Sequence, residues 1–278
     1  MIKNLHPFVL FMYFFYGIFT AVFTFNPFFL IPALFGALLL LIKLDGLKTV
    51  KVSIEYFIIF IIIALSTPLF SHNGASVLFF INDSRITFES LIYGICAAMM
   101  IVSALVWFNC FNKVFDSEKI MYLMGRIFPK LALVFSMTLN FIPRMIKEFK
   151  SINNSQKSIK QSCIKRYTGS FSAVITRSME NSIVISDSMN ARGYMLKGRT
   201  FFHRYQFTVT DAVYLCVFTA LFVLSLIWKS EVTFYPVIQM KINVMNYLSV
   251  LAYMILAVLP FVLEVKEALK WKLSLSKI

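Results

Sequence analysis

The sequence has 278 residues, of which 59% are hydrophobic and only 14% are charged. A soluble domain usually carries about 25% charged residues, so this composition excludes both an ordinary soluble fold and an intrinsically disordered chain. The apolar residues occur in continuous runs rather than in the alternating pattern of a membrane β-barrel. The composition therefore predicts an integral membrane protein built from helices.

The excess of positive charge is concentrated in one internal segment. The chain carries a net charge of +14, and residues 112–208, with sixteen basic and five acidic side chains, account for +11 of it. Apolar runs flank this segment on both sides. Because Lys and Arg are enriched in the cytoplasmic loops of membrane proteins, we expect the segment to lie on the cytoplasmic side of the membrane.

Six apolar runs are candidates for membrane-spanning helices. In chain order they cover residues 8–25, 28–42, 54–70, 86–111, 209–228 and 244–263. The turn signal Asn26-Pro27 separates the first two runs, and Glu89 falls in the first turn of the fourth, where the helix dipole favours an acid. The sequence therefore predicts an all-α, polytopic membrane protein with about six transmembrane helices.

A weaker apolar stretch covers residues 128–142, inside the basic segment. It has about 15 residues, whereas about 20 helical residues are needed to cross the hydrocarbon core, and it contains Ser136, Thr138 and Asn140. We therefore expect this stretch to lie at the membrane interface or against protein. The sequence alone leaves open whether it crosses the bilayer.

The distribution of lysine and arginine also predicts the topology. If the basic segment and the lysine-rich loop 43–51 are inside, both termini are cytoplasmic, and the loops at 71–85 and 229–243 are outside. The predicted organisation has three parts. They are transmembrane helices one to four in residues 1–111, a cytoplasmic or interfacial region in 112–208, and transmembrane helices five and six in 209–278.

The basic segment contains two amphipathic helical patterns. In the second pattern, small and flexible side chains share one face, which allows another helix to approach closely: Ser178, Met179, Ser182, Ser186 and Met189. Two interpretations of the segment remain open, namely helices lying on anionic lipid and a helix pair that presents a surface to a cytosolic partner. A nucleic-acid surface is disfavoured, because the aromatic residues are not interleaved with the lysines as stacking platforms would be.

The end of the second pattern reads Ala191-Arg192-Gly193-Tyr194. Gly193 predicts a helix C-terminus, since the residue after the C-cap often adopts a left-handed conformation that glycine tolerates. Arg192 then lies in the last turn and projects past the helix end. An arginine there is also explained by the favourable interaction of a cation with the negative end of the helix dipole, so both a structural and a functional role stay open.

Several motifs, in order along nearly the whole chain, resemble the transmembrane T components of energy-coupling factor (ECF) transporters. They are TPLFSHNG at residues 67–74, ITFESLIYG at 86–94, FIPR at 141–144, and ARGY at 191–194 together with GRT at 198–200. A lone Ala-Arg-Gly would be a weak signal, but the ordered set with matching hydropathy is specific. On this basis the chain is identified as a member of the T-component family.

The resemblance implies that the chain is a scaffold joining a membrane-embedded, substrate-binding S subunit to two cytosolic ABC-type ATPases. Two coupling helices of the T component cross, and each ends in a short motif that docks on one ATPase. The second motif maps onto Ala191, Arg192 and Gly193. The first falls where this chain lacks Ala-Arg-Gly and has instead the residues Gln156, Lys157, Ser158 and Lys160.

The resemblance also implies what this chain does not do by itself. It has no catalytic residue, no metal site and no cofactor, because ATP and Mg²⁺ are bound by the partner ATPases. The two crossed helices would pack through the serine and methionine face of the second helix and would slide or scissor there during coupling. The implied location is a bacterial plasma membrane, and the substrate would be a vitamin or a transition-metal ion selected by the S subunit.

Three other classes of protein are alternatives to this assignment. A stand-alone secondary carrier would be expected to have ionisable residues deep in its spans, but the cores of the six runs contain no Asp, Glu, Lys or Arg. A membrane enzyme would need a nucleophile, a metal cluster or paired carboxylates, and no such pattern or phosphate-binding GxxxxGK[ST] loop is present. A helical protein bound to the membrane surface remains the third alternative.

Overall fold

The structure, a computed structural model, describes residues 5–46, 49–71, 74–81, 84–157, 162–194, 205–227, 232–235, 239–240 and 244–275. The helices in these residues are α1 (Pro7–Phe23), α2 (Pro27–Asp45), α3 (Thr49–Phe70), α4 (Phe88–Val114), α5 (Ser117–Ile127), α6 (Pro129–Lys157), α7 (Cys163–Ala191), α8 (Val209–Ile227) and α9 (Val244–Leu275). The strands are β1 (Val77–Ile81), β2 (Ser84–Thr87), β3 (Val232–Thr233) and β4 (Gln239–Met240). The predicted all-α, polytopic fold is confirmed.

Five of these helices are long and apolar enough to cross a membrane, namely α2, α3, α4, α8 and α9. The helix α1 is also apolar but has only 17 residues. Each of these six helices overlaps one of the six apolar runs of the sequence, although α3 begins earlier and α9 ends later than its run. The helix α6 does not meet the same criteria of length and composition, as expected for the weaker stretch at 128–142.

The weaker apolar stretch at 128–142 and the amphipathic residues that follow it belong to one helix. The helix α6 runs without a break from Pro129 to Lys157. Pro143 lies inside it, where proline removes one backbone hydrogen bond without ending the helix. The change from an apolar to an amphipathic pattern near Ile142 therefore marks a change of surroundings, not a helix end.

The chain divides into two compact units. The first, called the membrane unit below, consists of Met1–Asp116 and Tyr205–Ile278, and the second, called the arm unit, is Ser117–Arg204. The membrane unit therefore contains α1 to α4, α8 and α9, and the arm unit contains α5, α6 and α7. The functional division at residues 112 and 208 made from the sequence stays a prediction.

Small residues let the helices of the membrane unit pack closely. A side-chain carbon built at Gly17 of α1 would lie 3.0 Å from the ring of Trp107 on α4. A carbon at Gly36 of α2 would lie 2.5 Å from the Cβ of Ala257 on α9. Transmembrane helices depend on such close packing, because the surrounding lipid is as apolar as their side chains and burial of apolar surface does not drive them together. These glycines therefore set the spacing between helices.

A β-hairpin occupies part of the region that the sequence assigned to a loop. Its strands β1 and β2 pair antiparallel from Val77 to Thr87. The hairpin is anchored by Glu89, which is 5% exposed and accepts hydrogen bonds from the Ser76 hydroxyl at 2.8 Å and the Ser76 backbone amide at 3.3 Å. Glu89 thus has a specific partner in addition to the helix dipole that its position in α4 had suggested.

Candidate functional site

The C-terminus of α7 has the geometry that the sequence predicted. Gly193 has a φ of 75°, and its amide donates to the Asn190 carbonyl at 3.0 Å. The Tyr194 amide donates to the Met189 carbonyl at 3.1 Å. These two bonds define a Schellman cap, so the prediction of a glycine-terminated helix is confirmed, and the direction of the chain after Arg192 is fixed.

The cap presents Arg192 at the exposed end of a long helix. Arg192 is the C-cap residue of α7 and has a φ of −83° and a ψ of 7°. The side chains of Arg192 and Ala191 are both exposed. From Ile175 to Ala191 no residue of α7 is buried. Large apolar side chains on this half of α7 are strongly exposed, with Met179 at 68% and Ile183 at 66%.

The predicted first motif is only partly described. Lys157 is the last residue of α6 and is exposed. Ser158 and Lys160 lie outside the described residues. Gln156 is half-buried and accepts a hydrogen bond from the Ser170 hydroxyl of α7 at 3.0 Å. Two of the four residues assigned to this motif are therefore described by the structure. The side chain of Lys157 is exposed, whereas that of Gln156 contacts α7.

The helices α6 and α7 meet at a small polar contact. Ser170 is fully buried, and a side-chain carbon at Gly169 would lie 3.5 Å from the Gln156 amide. Close by, the rings of Phe149 and Tyr167 stack with centroids 6.3 Å apart. Sequence reasoning missed this contact. The adjacent Gly169-Ser170 pair was the available signal, since small residues mark close helix approach.

The predicted sliding face of α7 lies beyond this contact. Ser178 and Met189 are half-buried, whereas Met179, Ser182 and Ser186 are exposed. The hydroxyls of Ser178 and Ser182 donate to carbonyls of their own helix, Val174 at 2.7 Å and Met179 at 2.6 Å. Their polar groups are thus satisfied within α7, and the face is available to another surface. The sequence had assigned the packing of the two coupling helices to this face, whereas the polar contact described between α6 and α7 is that of Gln156 with Ser170. The role of the face in sliding stays a prediction.

The described residues offer no cluster for metal chemistry. Within them, no three His, Cys, Asp or Glu side chains come together to hold an ion. The cysteines are separate and reduced, with Cys96 and Cys110 buried in the membrane unit and Cys163 and Cys216 exposed. The candidates for a functional site in the arm unit are therefore surface features. They are the exposed Arg192 at the capped end of α7 and the exposed apolar side chains of α7, such as Met179 and Ile183.

Comparison with known proteins gives one family. The family model CbiQ, described as a cobalt transport protein, matches residues 6–203. The match extends from α1 through α7 and so includes the four-helix N-terminal part of the membrane unit and nearly all of the arm unit. It confirms the resemblance to the T components of ECF transporters that the motifs indicated. No curated protein matches the chain significantly.

Proposed function

Because the chain belongs to the CbiQ family of cobalt transport proteins, we propose that it is the coupling subunit of an ECF-type importer. The family makes it a membrane component of a transport system, working within a complex in the bilayer. In our proposal it transmits the energy of ATP hydrolysis from two cytosolic ATPases to a substrate-binding S subunit. The chain itself catalyses no reaction, and ATP and Mg²⁺ are bound by the ATPases.

The observation that carries this proposal is the exposed Arg192 at the capped end of α7. The Schellman cap holds the helix end in one conformation, so little ordering is needed when the arginine docks. A guanidinium has a planar fork of donors that suits carboxylates and backbone carbonyls in a groove. Ala191 and Gly193 on either side are small enough to let a partner surface approach.

The second contact is proposed at the end of α6. Lys157 is exposed there, and Ser158 and Lys160 follow in the sequence. Lysine is a compact charge without the directional fork of arginine, so this contact would be less specific than that of Arg192. Two unlike helix ends would suit two unlike ATPases.

A mechanism follows from the way α6 and α7 meet. ATP binding would close the ATPase pair and move the two helix ends relative to each other. The helices would pivot about the contact of Gln156 with Ser170, while the exposed face of Met179, Ser182 and Ser186 slides against a partner. Such motion belongs to the hinge-and-shear class, and methionine adapts readily to a changing surface. The S subunit would then reorient and release its substrate inside.

The substrate and location are also proposals. The family description favours a cobalt ion, and the wider T-component class allows other transition-metal ions and vitamins. In each case the S subunit would select the cargo. We place the complex in a bacterial plasma membrane with both termini of this chain in the cytoplasm, because that orientation puts the lysine-rich loop and the basic segment inside.

The test compares two charge reversals on the same helix. Arg192→Glu places a negative charge against the carboxylates and carbonyl oxygens that are proposed to bind the guanidinium in the ATPase groove. We therefore expect the ATPases no longer to co-purify with the chain and ATP-driven uptake to fall at least tenfold. Arg177→Glu is the matched control, because Arg177 is an exposed arginine of α7 that lies away from its end, and we expect it to behave like wild type. Unchanged uptake by the Arg192 variant would refute the assigned role.

A further inference from the structure

The hairpin formed by β1 and β2 has one buried and one exposed face. Ile86 is buried, so its side of β2 lies against the rest of the membrane unit. Phe80 is 67% exposed and pairs across the strands with Arg85, which is also exposed, so these two side chains emerge from the same face. Leu78 lies two residues before Phe80, on the same side of β1, and is 53% exposed. We call Leu78, Phe80 and Arg85 the exposed face of the hairpin.

The hairpin is held against the membrane helices by contacts that do not involve this face. The Phe88 amide donates to the Ser76 carbonyl at 3.0 Å, next to the bonds from Ser76 to Glu89. Gly74 has a φ of 142°, and a side-chain carbon there would lie 2.6 Å from the Glu89 carboxylate, so the chain passes closely over that group before β1. The strand β2 also contacts α3 and α4. The exposed face can therefore be substituted without releasing the hairpin.

The length of α4 places the hairpin at the depth of the lipid headgroups. The hydrocarbon core of a bilayer takes about 20 helical residues, and counted back from Lys113, in the last turn of α4, these end near Tyr93. Because a helix rises about 1.5 Å per residue, Phe88 and the adjoining strand β2 lie about 7.5 Å beyond that point. The headgroup layer on each side of the core is about 5–8 Å thick. The hairpin therefore lies at the boundary between acyl chains and water.

Arg85 supplies a charge that complements the lipid at this depth. Among the described residues no carboxylate pairs with Arg85, whereas the phosphates of phospholipids lie at the same level. A guanidinium binds phosphate oxygens through two parallel N–H donors, and the long stem of arginine lets its charge stay near water while apolar neighbours insert more deeply. Exposed leucine and phenylalanine side chains beside a basic residue are typical of surfaces that bind at the membrane interface.

We propose that the exposed face of the hairpin is a phospholipid-binding surface. Leu78 and Phe80 insert between the upper parts of the acyl chains, and Arg85 binds a phosphate in the headgroup layer. The occupant is lipid rather than a protein partner, because the face lies at headgroup depth and its charge matches the phosphate there. The surface holds this end of α3 and α4 at a fixed depth in the bilayer. It needs neither ATPases nor cargo, so it is tested on the full chain alone.

Spin labels measure the depth of this face in vesicles of phosphatidylcholine and phosphatidylglycerol. The two exposed cysteines are first replaced by serine, and the two buried ones stay. Labels are then attached at Phe80→Cys and, as a reference, at Phe57→Cys, where the native ring is exposed within the span of α3. Collisions are compared with oxygen, which concentrates in hydrocarbon, and with a water-soluble nickel chelate. We expect the label at position 80 to collide more often with oxygen than with the chelate, at a depth between the label at 57 and the water.

A charge variant tests the role of the phosphate. Arg85→Gln removes the cation beside the label at position 80. We expect the ratio of chelate to oxygen collisions there to rise about fivefold, because a basic residue near an anionic membrane surface contributes about 1 kcal/mol. Lys51→Gln is the matched control, since it removes an exposed lysine at the other end of α3 and should leave the ratio unchanged. The turn residues 82–83 lie outside the described residues and are the same in every variant.

The remaining results would each overturn the inference. A label at position 80 that collides with the chelate as freely as with oxygen would show that the face lies in water. A label shielded from both would show that protein covers the face, and dipolar coupling between labels would identify that protein as a second copy of the chain. An unchanged ratio in Arg85→Gln would remove the phosphate from the interaction. None of these results bears on the coupling role of Arg192, because the vesicles contain no ATPase.

Discussion

The indole nitrogen of Trp107 on α4 donates a hydrogen bond to the backbone carbonyl of Ala33 on α2 at 3.2 Å. Trp107 is fully buried and its ring also packs on Gly17 of α1. One side chain thereby fixes the relative positions of three helices. In a bilayer, where burial of apolar surface does not hold helices together, such specific contacts carry much of the packing.

Replacing Trp107 is expected to loosen this three-helix contact. Trp107→Phe removes the donor and part of the ring, and we expect a loss of about 2–3 kcal/mol in stability, from the hydrogen bond and the cavity together. Thermal unfolding of the purified protein in detergent, followed by circular dichroism, measures the change. Phe108→Leu, at a neighbouring but half-exposed ring, is the control and should change stability by much less.

The close approach of α2 and α9 predicts that the loss of stability caused by a substitution in one helix is recovered by a second substitution in the other. Gly36→Ala places a methyl group 2.5 Å from the Ala257 Cβ, and such overpacking costs about 1–3 kcal/mol. Ala257→Gly removes the atom that clashes. The double variant should therefore recover most of the stability lost by Gly36→Ala in the same unfolding assay. Additive losses would show that the two residues do not contact each other in the protein.

The cap of α7 predicts a graded series at Gly193. A side chain at a φ of 75° costs a non-glycine residue about 1–2 kcal/mol, and asparagine tolerates that conformation better than alanine. We expect ATPase binding to weaken in the order wild type, Gly193→Asn, Gly193→Ala, because the helix end that presents Arg192 frays. Affinity of the purified chain for the ATPases measures the effect. Equal affinities would mean that the ordered cap is not needed for docking.

The contact between α6 and α7 predicts that a larger side chain lowers uptake at position 170 but not at an exposed position nearby. Ser170→Leu adds bulk at a fully buried site beside Gln156, and we expect it to separate the two helices and lower ATP-driven uptake by about tenfold, the effect of about 1.4 kcal/mol. Ser172→Leu makes the same change at an exposed site of α7 and should have little effect. Cleavage of α6 and α7 by a protease, measured alongside uptake, reports the separation. Equal behaviour of the two variants would remove the contact from the mechanism.

The features that the sequence predicted correctly are those encoded locally. Continuous apolar runs gave the positions of α1 to α4, α8 and α9, since each helix must be apolar along its length to lie in lipid. Gly193 gave the end of α7, because few other residues adopt a positive φ. The motifs in order gave the family, which the match over residues 6–203 then confirmed.

The features that the sequence did not predict depend on contacts between distant residues. The His6 amide donates a hydrogen bond to the Asp211 carboxylate although the two residues are 205 positions apart, and nothing in either local pattern indicates the other. Gln156 and Ser170 are separated by only 14 positions, but their pairing depends on how α6 and α7 cross. The continuity of α6 from Pro129 to Lys157 was likewise not evident from the sequence, because hydropathy reports the surroundings of a helix and not where it ends.

The most direct test of the coupling assignment is a crosslink from position 192. A photoreactive residue placed there, in the chain purified in mild detergent or in native membranes, reacts with whatever the end of α7 contacts. We predict adducts with a cytosolic ATPase, and their loss when the probe is moved to position 177. Adducts with phospholipid alone would contradict the coupling role and indicate instead that the arm unit lies on the membrane surface.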